Sequence, residues 1–568
     1  MKHIAFIVVA SLTLISCVNE LEVDCNLEQA TPMDLTDELN LTDGVIIGEK
    51  LRNPYSIEVM KEACDMLYPP TRGEDPVSDS LIVPNVKYVR FLPTDSVEYR
   101  LLMDSDLELF NYPLDYDILG DPSDYHDPNL PPEQITWQYT VMPIEQTPPI
   151  NRVETLGVGF VPNKTQLGGA YDLLAIEKTA NGIVINELIT STSPSGDFSL
   201  ILPTTPPTTP STTATSYTGK ICVCDTGKSE AKGVKGVKVR ARHFWKIRTA
   251  YTQEDGTYYI DMKDFEDVNP RFELRFENRY GFKLGYGIEL IMPQTYNMGS
   301  TRIYTFEDSD TGKDFKAWVL STINNAAYDW YKRCKKEGMP TPPSDLYVWA
   351  MEMASGAACP MLHHGTYNTS GLSIVSLWTF LLGPLYGTLT NAWYSVLTNT
   401  IAPDVLVFGV DTCSTSTLYT YTSHELAHAT HFQQVGEDVL DRALWWADVI
   451  NYEVACGVLN GGSRPYEHPK IPKEGKVGIT EMWAYAVGHI CGWEHRQQEI
   501  GIYWDKGKYW FAPEILLSLY EDGMTLKQIC DSMTGGVVTL EEFQSQLVVN
   551  NSACASEIND LFNTYFND

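Results

Sequence analysis

Basic charge is scarce in this chain. Its 568 residues hold 41 Lys and Arg against 74 Asp and Glu, a formal net charge of −33. A surface that acidic repels phosphate backbones, which argues against nucleic acid as a partner and leaves solubility as the plain explanation. Long apolar runs are lacking too. The stretch from Gly371 to Gly387 is short for a bilayer span and Pro384 interrupts it, so it reads as a buried or cleft-lining segment. Cysteine is present, at 12 residues, but no paired metal-binding framework appears. Cys222 and Cys224 form the one close pair, and in a strand their side chains point to opposite faces.

The first residues carry a signal. Met1-Lys2-His3 is a positive start, Ile4 to Ile15 is a short apolar run, and Leu14-Ile15-Ser16-Cys17 closes it with a small residue before a cysteine. These are the flanks of a signal peptide rather than of a stop-transfer helix. The ending resembles the lipobox of bacterial lipoproteins. That resemblance implies cleavage before Cys17, lipidation of Cys17, and an exported protein anchored to a bacterial membrane, the outer membrane by preference. Residues 1–16 are then absent from the mature fold, and the acidic, aperiodic residues 17–45 are a tether.

Length alone suggests about three to four units. Residues 46–202 read as an α+β module, with an amphipathic helix from Ser56 to Leu67 and alternating strands at Tyr88–Pro93 and Thr136–Val141. His126, among aspartates, belongs to a solvated loop. Residues 203–216, nearly all Pro, Thr and Ser, cannot bury a core and form an extended linker. Residues 217–300 hold short strands at Gly219–Asp225 and Gly233–Arg242, then a turn at Asp255-Gly256, which predicts a small antiparallel sandwich. Their order resembles the regulatory-like sandwich domains of carboxypeptidases and the related collagen-adhesin repeats. No chemistry is assigned to it, and His243 reads as an edge residue.

From 301 to 568 the pattern turns helical. Phe315, Trp318, Val319, Ile323, Ala326, Ala327 and Trp330 make one apolar face, and further helices are predicted near 422–435, 438–459, 480–497, 512–522 and 525–533. The chemistry sits at Thr422-Ser423-His424-Glu425-Leu426-Ala427-His428. Thr or Ser before the run and Gly436 after it are helix start and stop signals. His424 and His428 are one turn apart on one face, so both imidazoles reach one ion, while Glu425 can aim at an open coordination position. Zinc lowers the pKa of a bound water to about 7, and a carboxylate beside it takes the proton.

A catalytic site needs a third protein ligand. The extended pattern with Gly at 431 and His at 434 is absent, since those positions are His and Gln, and His431 reads as a supporting or core residue. Two downstream glutamates remain, Glu453 and Glu481. The arrangement resembles the gluzincin metallopeptidases, in which a later helix supplies the third ligand. Glu481-Met-Trp-Ala looks like the ligand helix of lipoprotein metallopeptidases of the Bacteroidetes type, and Thr480 is placed to cap that helix. Glu481 is therefore preferred to Glu453.

The resemblance implies a multidomain protein: an α+β N-terminal module, a small all-β sandwich and a mainly helical α+β zincin catalytic domain. It further implies a zinc ion on His424, His428 and Glu481, Glu425 as general base, and a peptide or protein substrate. The alternative is a surface binding or adhesion lipoprotein whose zinc site is structural or vestigial. Tyr485 and His489 face the same way as Glu481 as candidate oxyanion donors, and His363-His364 are candidates to line the cleft. His468 and His495 carry no motif.

Overall fold

The computed structural model describes residues 46–162, 217–260, 270–364, 403–460, 474–496 and 509–566, less short gaps at 70–72, 74, 120–124, 132–133, 227, 229, 288–292, 309–311 and 353–355. The signal segment with Cys17, the tether, the 203–216 linker, the apolar 371–387 stretch and His468 lie outside them. Helix and strand are mixed throughout, with eleven α-helices and seventeen strands among the described residues. None of those helices is long and apolar enough to cross a membrane.

The N-terminal module opens with β1 (Ile46–Lys50), α1 (Ile57–Leu67), α2 (Ser78–Leu81), β2 (Val86–Phe91) and α3 (Ser96–Met103). It continues with β3 (Tyr116–Leu119), β4 (Gln138–Pro143) and β5 (Val153–Gly159). The Ser56 side chain caps α1 by accepting from the Val59 N–H. The two alternating runs are strands and lie side by side: β2 is antiparallel between β4 and β5, with Val89 opposite Thr140. The module is seated on the strands that follow it. Tyr88 and Tyr139 share a core with Trp245, and the buried Arg240 donates to the Leu109 carbonyl at 2.8 Å and pairs with buried Glu273.

Those strands are β6 (Tyr217–Cys224), β7 (Ala231–Gly233), β8 (Val237–His243), β9 (Lys246–Tyr251), β10 (Thr257–Ile260), β11 (Arg271–Asn278), β12 (Lys283–Tyr286), β13 (Thr295–Gly299) and β14 (Ile303–Phe306). A four-stranded sheet runs β10-β6-β14, with β7 also on β6. The Asp255-Gly256 turn does not close a hairpin: β9 pairs with β8, whereas β10 pairs with β6 in the other sheet. Gly256 makes this change of sheet, at φ +81° and so close to the Ile221 carbonyl that an added Cβ would lie 2.0 Å from it.

The boundary expected at 300 is not a break. Helix α4 (Lys313–Glu337) follows, then β15 (Tyr347–Met351), β16 (Gly356–Ala358) and β17 (Val405–Phe408). They complete an eight-stranded sheet, β16-β17-β15-β12-β11-β8-β9, with β13 on β11. The join is the parallel pair β12–β15, Leu284 opposite Val348. Parallel neighbours require a crossover, and α4 is part of it. The predicted stripe is buried from Trp318 to Trp330, but so is most of the remaining circumference, including Asn324 and Asn325. A helix buried all round is interior. Asn325 meets its polar needs by donating to the Gly233 carbonyl and accepting from the Lys235 N–H, both at 2.8 Å.

The remaining helices are α5 (Thr415–Gln434), α6 (Val439–Asn460), α7 (Gly475–Arg496), α8 (Glu514–Glu521), α9 (Leu526–Cys530), α10 (Leu540–Asn550) and α11 (Ala555–Phe566). Two predicted starts are displaced. Helix α5 begins at Thr415, with Ser414 as cap, so the His-Glu-x-x-His run sits inside the helix rather than in its first turn. Helix α7 begins before Thr480, whose hydroxyl instead donates back to the Val477 carbonyl at 2.9 Å. The cap is Glu474, which accepts from the N–H groups of Lys476 and Val477, each at 3.0 Å.

Helices α5 and α7 approach closely through Gly488 and Gly492. A Cβ at Gly492 would lie 2.1 Å from Thr420 Oγ1, and one at Gly488 would lie 3.1 Å from His424 Cβ. Overpacking of this kind costs ~1–3 kcal/mol. We expect Gly492→Ala to lower stability by that amount in urea unfolding, and Thr420→Ala in the same chain to restore part of the loss. Equal stability of the wild type and the single variant would refute so tight a contact.

Candidate metal centre

The motif helix is held on three sides. The Trp330 indole of α4 donates to Thr430 Oγ1 at 3.0 Å, and the Trp483 indole of α7 donates to the Ala427 carbonyl at 3.0 Å. Beneath it, β17 is wholly buried. On the exposed side of this packing His424 and His428 would be two ordinary helix residues; here they are almost fully buried, with Glu425 and Glu481.

Helical spacing brings the two imidazoles together, Nε2 to Nε2 at 3.2 Å. Glu481, from the second turn of α7, faces both: its carboxylate oxygens lie 3.4 Å from His428 Nε2 and 3.6 Å from His424 Nε2. Four-coordinate zinc, with bonds of about 2.0–2.1 Å, sets its ligand atoms roughly 3.3 Å apart. The three separations therefore fit one ion of that size. Glu425 also comes near, Oε1 at 3.8 Å from His424 Nε2. It forms with the two histidines a buried group able to bind a metal ion, but it touches one ring where Glu481 touches two.

The electrostatics suit a cation. Burial pushes the Glu481 carboxyl up, but His428 and His424 outweigh it and hold it down at about 2. Burial lowers His424 to about 4, with the neighbouring His428 acting in the same direction and Glu481 against it. A neutral imidazole and an ionised carboxylate are the protonation states a metal requires. Glu425 is pushed well above the usual range by burial and then by the neighbouring Glu481 carboxylate. Neither of its oxygens has a hydrogen-bond partner among the described residues. A buried carboxylate so placed is costly unless a cation or substrate group meets it.

Glu453 does not face the histidines; it hydrogen-bonds to Glu481. Its carboxyl is raised by burial, by the Glu481 charge and by that bond, so it stays protonated and donates to the Glu481 carboxylate. Its surface is partly accessible, yet the protein atoms packed around it dominate its titration. His431 points elsewhere, edge-on to Trp445 and Trp446 at 5.2 and 6.2 Å, and burial lowers it to about 3. Tyr485 stands edge-on to His424 at 4.8 Å, while His489 packs against Trp493. His363 and His364 contact Asp345 instead.

The wall that the sequence reading passed over is Trp446. It packs edge-on against His428 at 5.8 Å, and its indole donates to the Cys359 carbonyl at 3.0 Å. Its signal was its place two turns before Glu453 on the same helix face. Cys359 is itself a buried free thiol. A comparison with family models, with curated proteins and with solved structures finds no match to this chain.

Proposed function

We propose that the protein is a zinc-dependent peptidase of the gluzincin-like zincin type, exported and lipid-anchored through Cys17. His424, His428 and Glu481 hold the metal, and Glu425 is the general base. The observation that carries this reading is the buried Glu425 carboxylate, without a hydrogen-bond partner among the described residues, beside two imidazoles 3.2 Å apart that each meet one oxygen of Glu481, at 3.4 and 3.6 Å.

Zinc bound there supplies a Lewis acid, a water acidified to a pKa of about 7, and the positive charge that the buried carboxylates call for. Glu425 accepts the proton released as water attacks a peptide carbonyl and returns it to the departing amine. Glu453 holds the Glu481 carboxylate by donating to it, and Trp446 shields the His428 ring from solvent. Tyr485, edge-on to His424, is the nearest aromatic hydroxyl-bearing side chain on the Glu481 helix for the oxyanion.

The test is hydrolysis of a mixed peptide library by the zinc-loaded protein. Cleavage is expected, abolished by a chelator and restored by zinc. A binding or adhesion lipoprotein with a structural zinc predicts metal without cleavage, since a closed four-ligand site leaves no place for water. Zinc uptake with no cleavage of any peptide would decide for that alternative.

A further inference from the structure

A second group of metal-ligating side chains lies outside the His424 pocket, and the mechanism does not use it. Asp345 stands in the turn before β15, and His363 and His364 stand in the turn after β16. Their ligand atoms lie within 4.8 Å of one another. His364 Nε2 is 2.9 Å from Asp345 Oδ1, and His363 Nε2 is 3.5 Å from Asp345 Oδ2. Ligand atoms on one ion at about 2.0–2.1 Å fall about 3 to 3.4 Å apart, so three donors from two turns converge at a suitable spacing.

The rings are held in place from behind. His363 stacks on Tyr347, with centroids 4.3 Å apart and planes at 20°. The fully buried Asp404 carboxylate accepts the backbone N–H groups of Tyr347, His363 and His364 at 3.0, 3.0 and 3.2 Å. Its second oxygen also lies 3.0 Å from His364 Nδ1, off the line of a good hydrogen bond. A carboxylate behind a ligating imidazole fixes its orientation and raises its basicity. Ahead of the pair, buried Met361 is in the left-handed region at φ +51°, secured by its N–H bond to the Asp404 carbonyl at 3.1 Å. A non-glycine residue in that conformation persists only where its surroundings enforce it, and such residues gather at functional sites. The outer edge is open, for the Asp345 side chain is 50% exposed.

The geometry points to a second metal site, in which Asp345, His363 and His364 bind a divalent transition-metal ion such as zinc. Two histidines and one carboxylate are a ligand set for that class of ion, and the exposed edge leaves room for water or an exchanging ligand. One cation serves both imidazoles at once. Two protonated rings, 4.9 Å apart at their centroids, would repel each other instead. The ion would clip the turn after β16 to the turn before β15. That turn begins at Cys359, whose carbonyl receives the Trp446 indole, so the clip would also brace the wall of the first pocket. The rival is an ion pair without metal, in which Asp404 and Asp345 outweigh burial and hold a proton on His364 up to about 10.

Zinc content of the full chain, loaded with zinc alone and freed of excess metal, separates the two. Two zinc ions per wild-type chain are expected, falling to one in Asp345→Asn and in His363→Ala with circular dichroism unchanged. A stoichiometry that is the same in the wild type and both variants overturns the proposal. A wild type holding one zinc that Asp345→Asn loses would uphold this site and sink the peptidase reading, so the two fail separately. Anomalous scattering at the zinc edge from wild-type crystals asks the same without a substitution. A peak bounded by Asp345, His363 and His364 is expected, and its absence overturns the site.

Discussion

Glu425→Gln is expected to keep its zinc and lose its hydrolysis, with kcat/KM falling by roughly 10²–10⁴, the usual worth of a positioned general base. The substitution is nearly isosteric, and it removes the proton acceptor without touching either imidazole. Glu425 has no hydrogen-bond partner among the described residues, so a neutral amide breaks no structural bond there. It also takes an acidic group away from the Glu481 charge, which helps raise the Glu425 carboxyl. The variant should therefore be at least as stable as the parent. Metal content and peptide cleavage on one preparation check both halves. Cleavage at the wild-type rate would end the proposed mechanism.

Glu481→Ala is expected to abolish stoichiometric zinc binding at the first pocket. It deletes the one carboxylate that, among the described residues, contacts both rings, and leaves two buried imidazoles facing each other at 3.2 Å. Glu453→Gln is expected to do far less. An amide still donates to Glu481, so zinc should bind with affinity reduced at most about 10–100-fold, the range for a group behind a ligand. Competition against a chelator of known affinity measures both. Loss of zinc in Glu453→Gln with retention in Glu481→Ala would exchange the two roles.

The site was largely legible because its information is local. His424, Glu425 and His428 need only one helical turn, and four residues of spacing state it. Glu481 needed a second helix, and its Glu-Met-Trp-Ala neighbourhood located that helix while misplacing its start. Thr480 has the chemistry of a cap, yet Glu474 reached the first N–H groups before it. Similarly, Thr422 and Ser423 read as the start of a helix, whereas the Thr- and Ser-rich residues before them are already helical although such residues compete for backbone hydrogen bonds. Burial of Thr415, Thr417, Thr420 and Thr422 against the neighbouring elements overrode that preference. The boundary at 300 failed for another reason. Nothing within residues 217–300 shows that β12 takes β15 as its partner, since strand pairing is settled by packing and not by either strand's own pattern.

The β12–β15 pair bears on the order of events during synthesis. The residues of β12 are made well before those of β15, and their shared edge cannot close until α4 has also emerged. Contacts so distant along the chain must overcome loop closure before they return any stability, which slows folding. Until then one edge of β12 is unpaired and open to another chain. A ribosome stalled before residue 347 would thus present an adhesive intermediate rather than a finished N-terminal half. A fragment begun at 301 would lack most of the sheet on which the helices of the candidate site rest. Folding only once β15 has been made suits this architecture better than folding piece by piece.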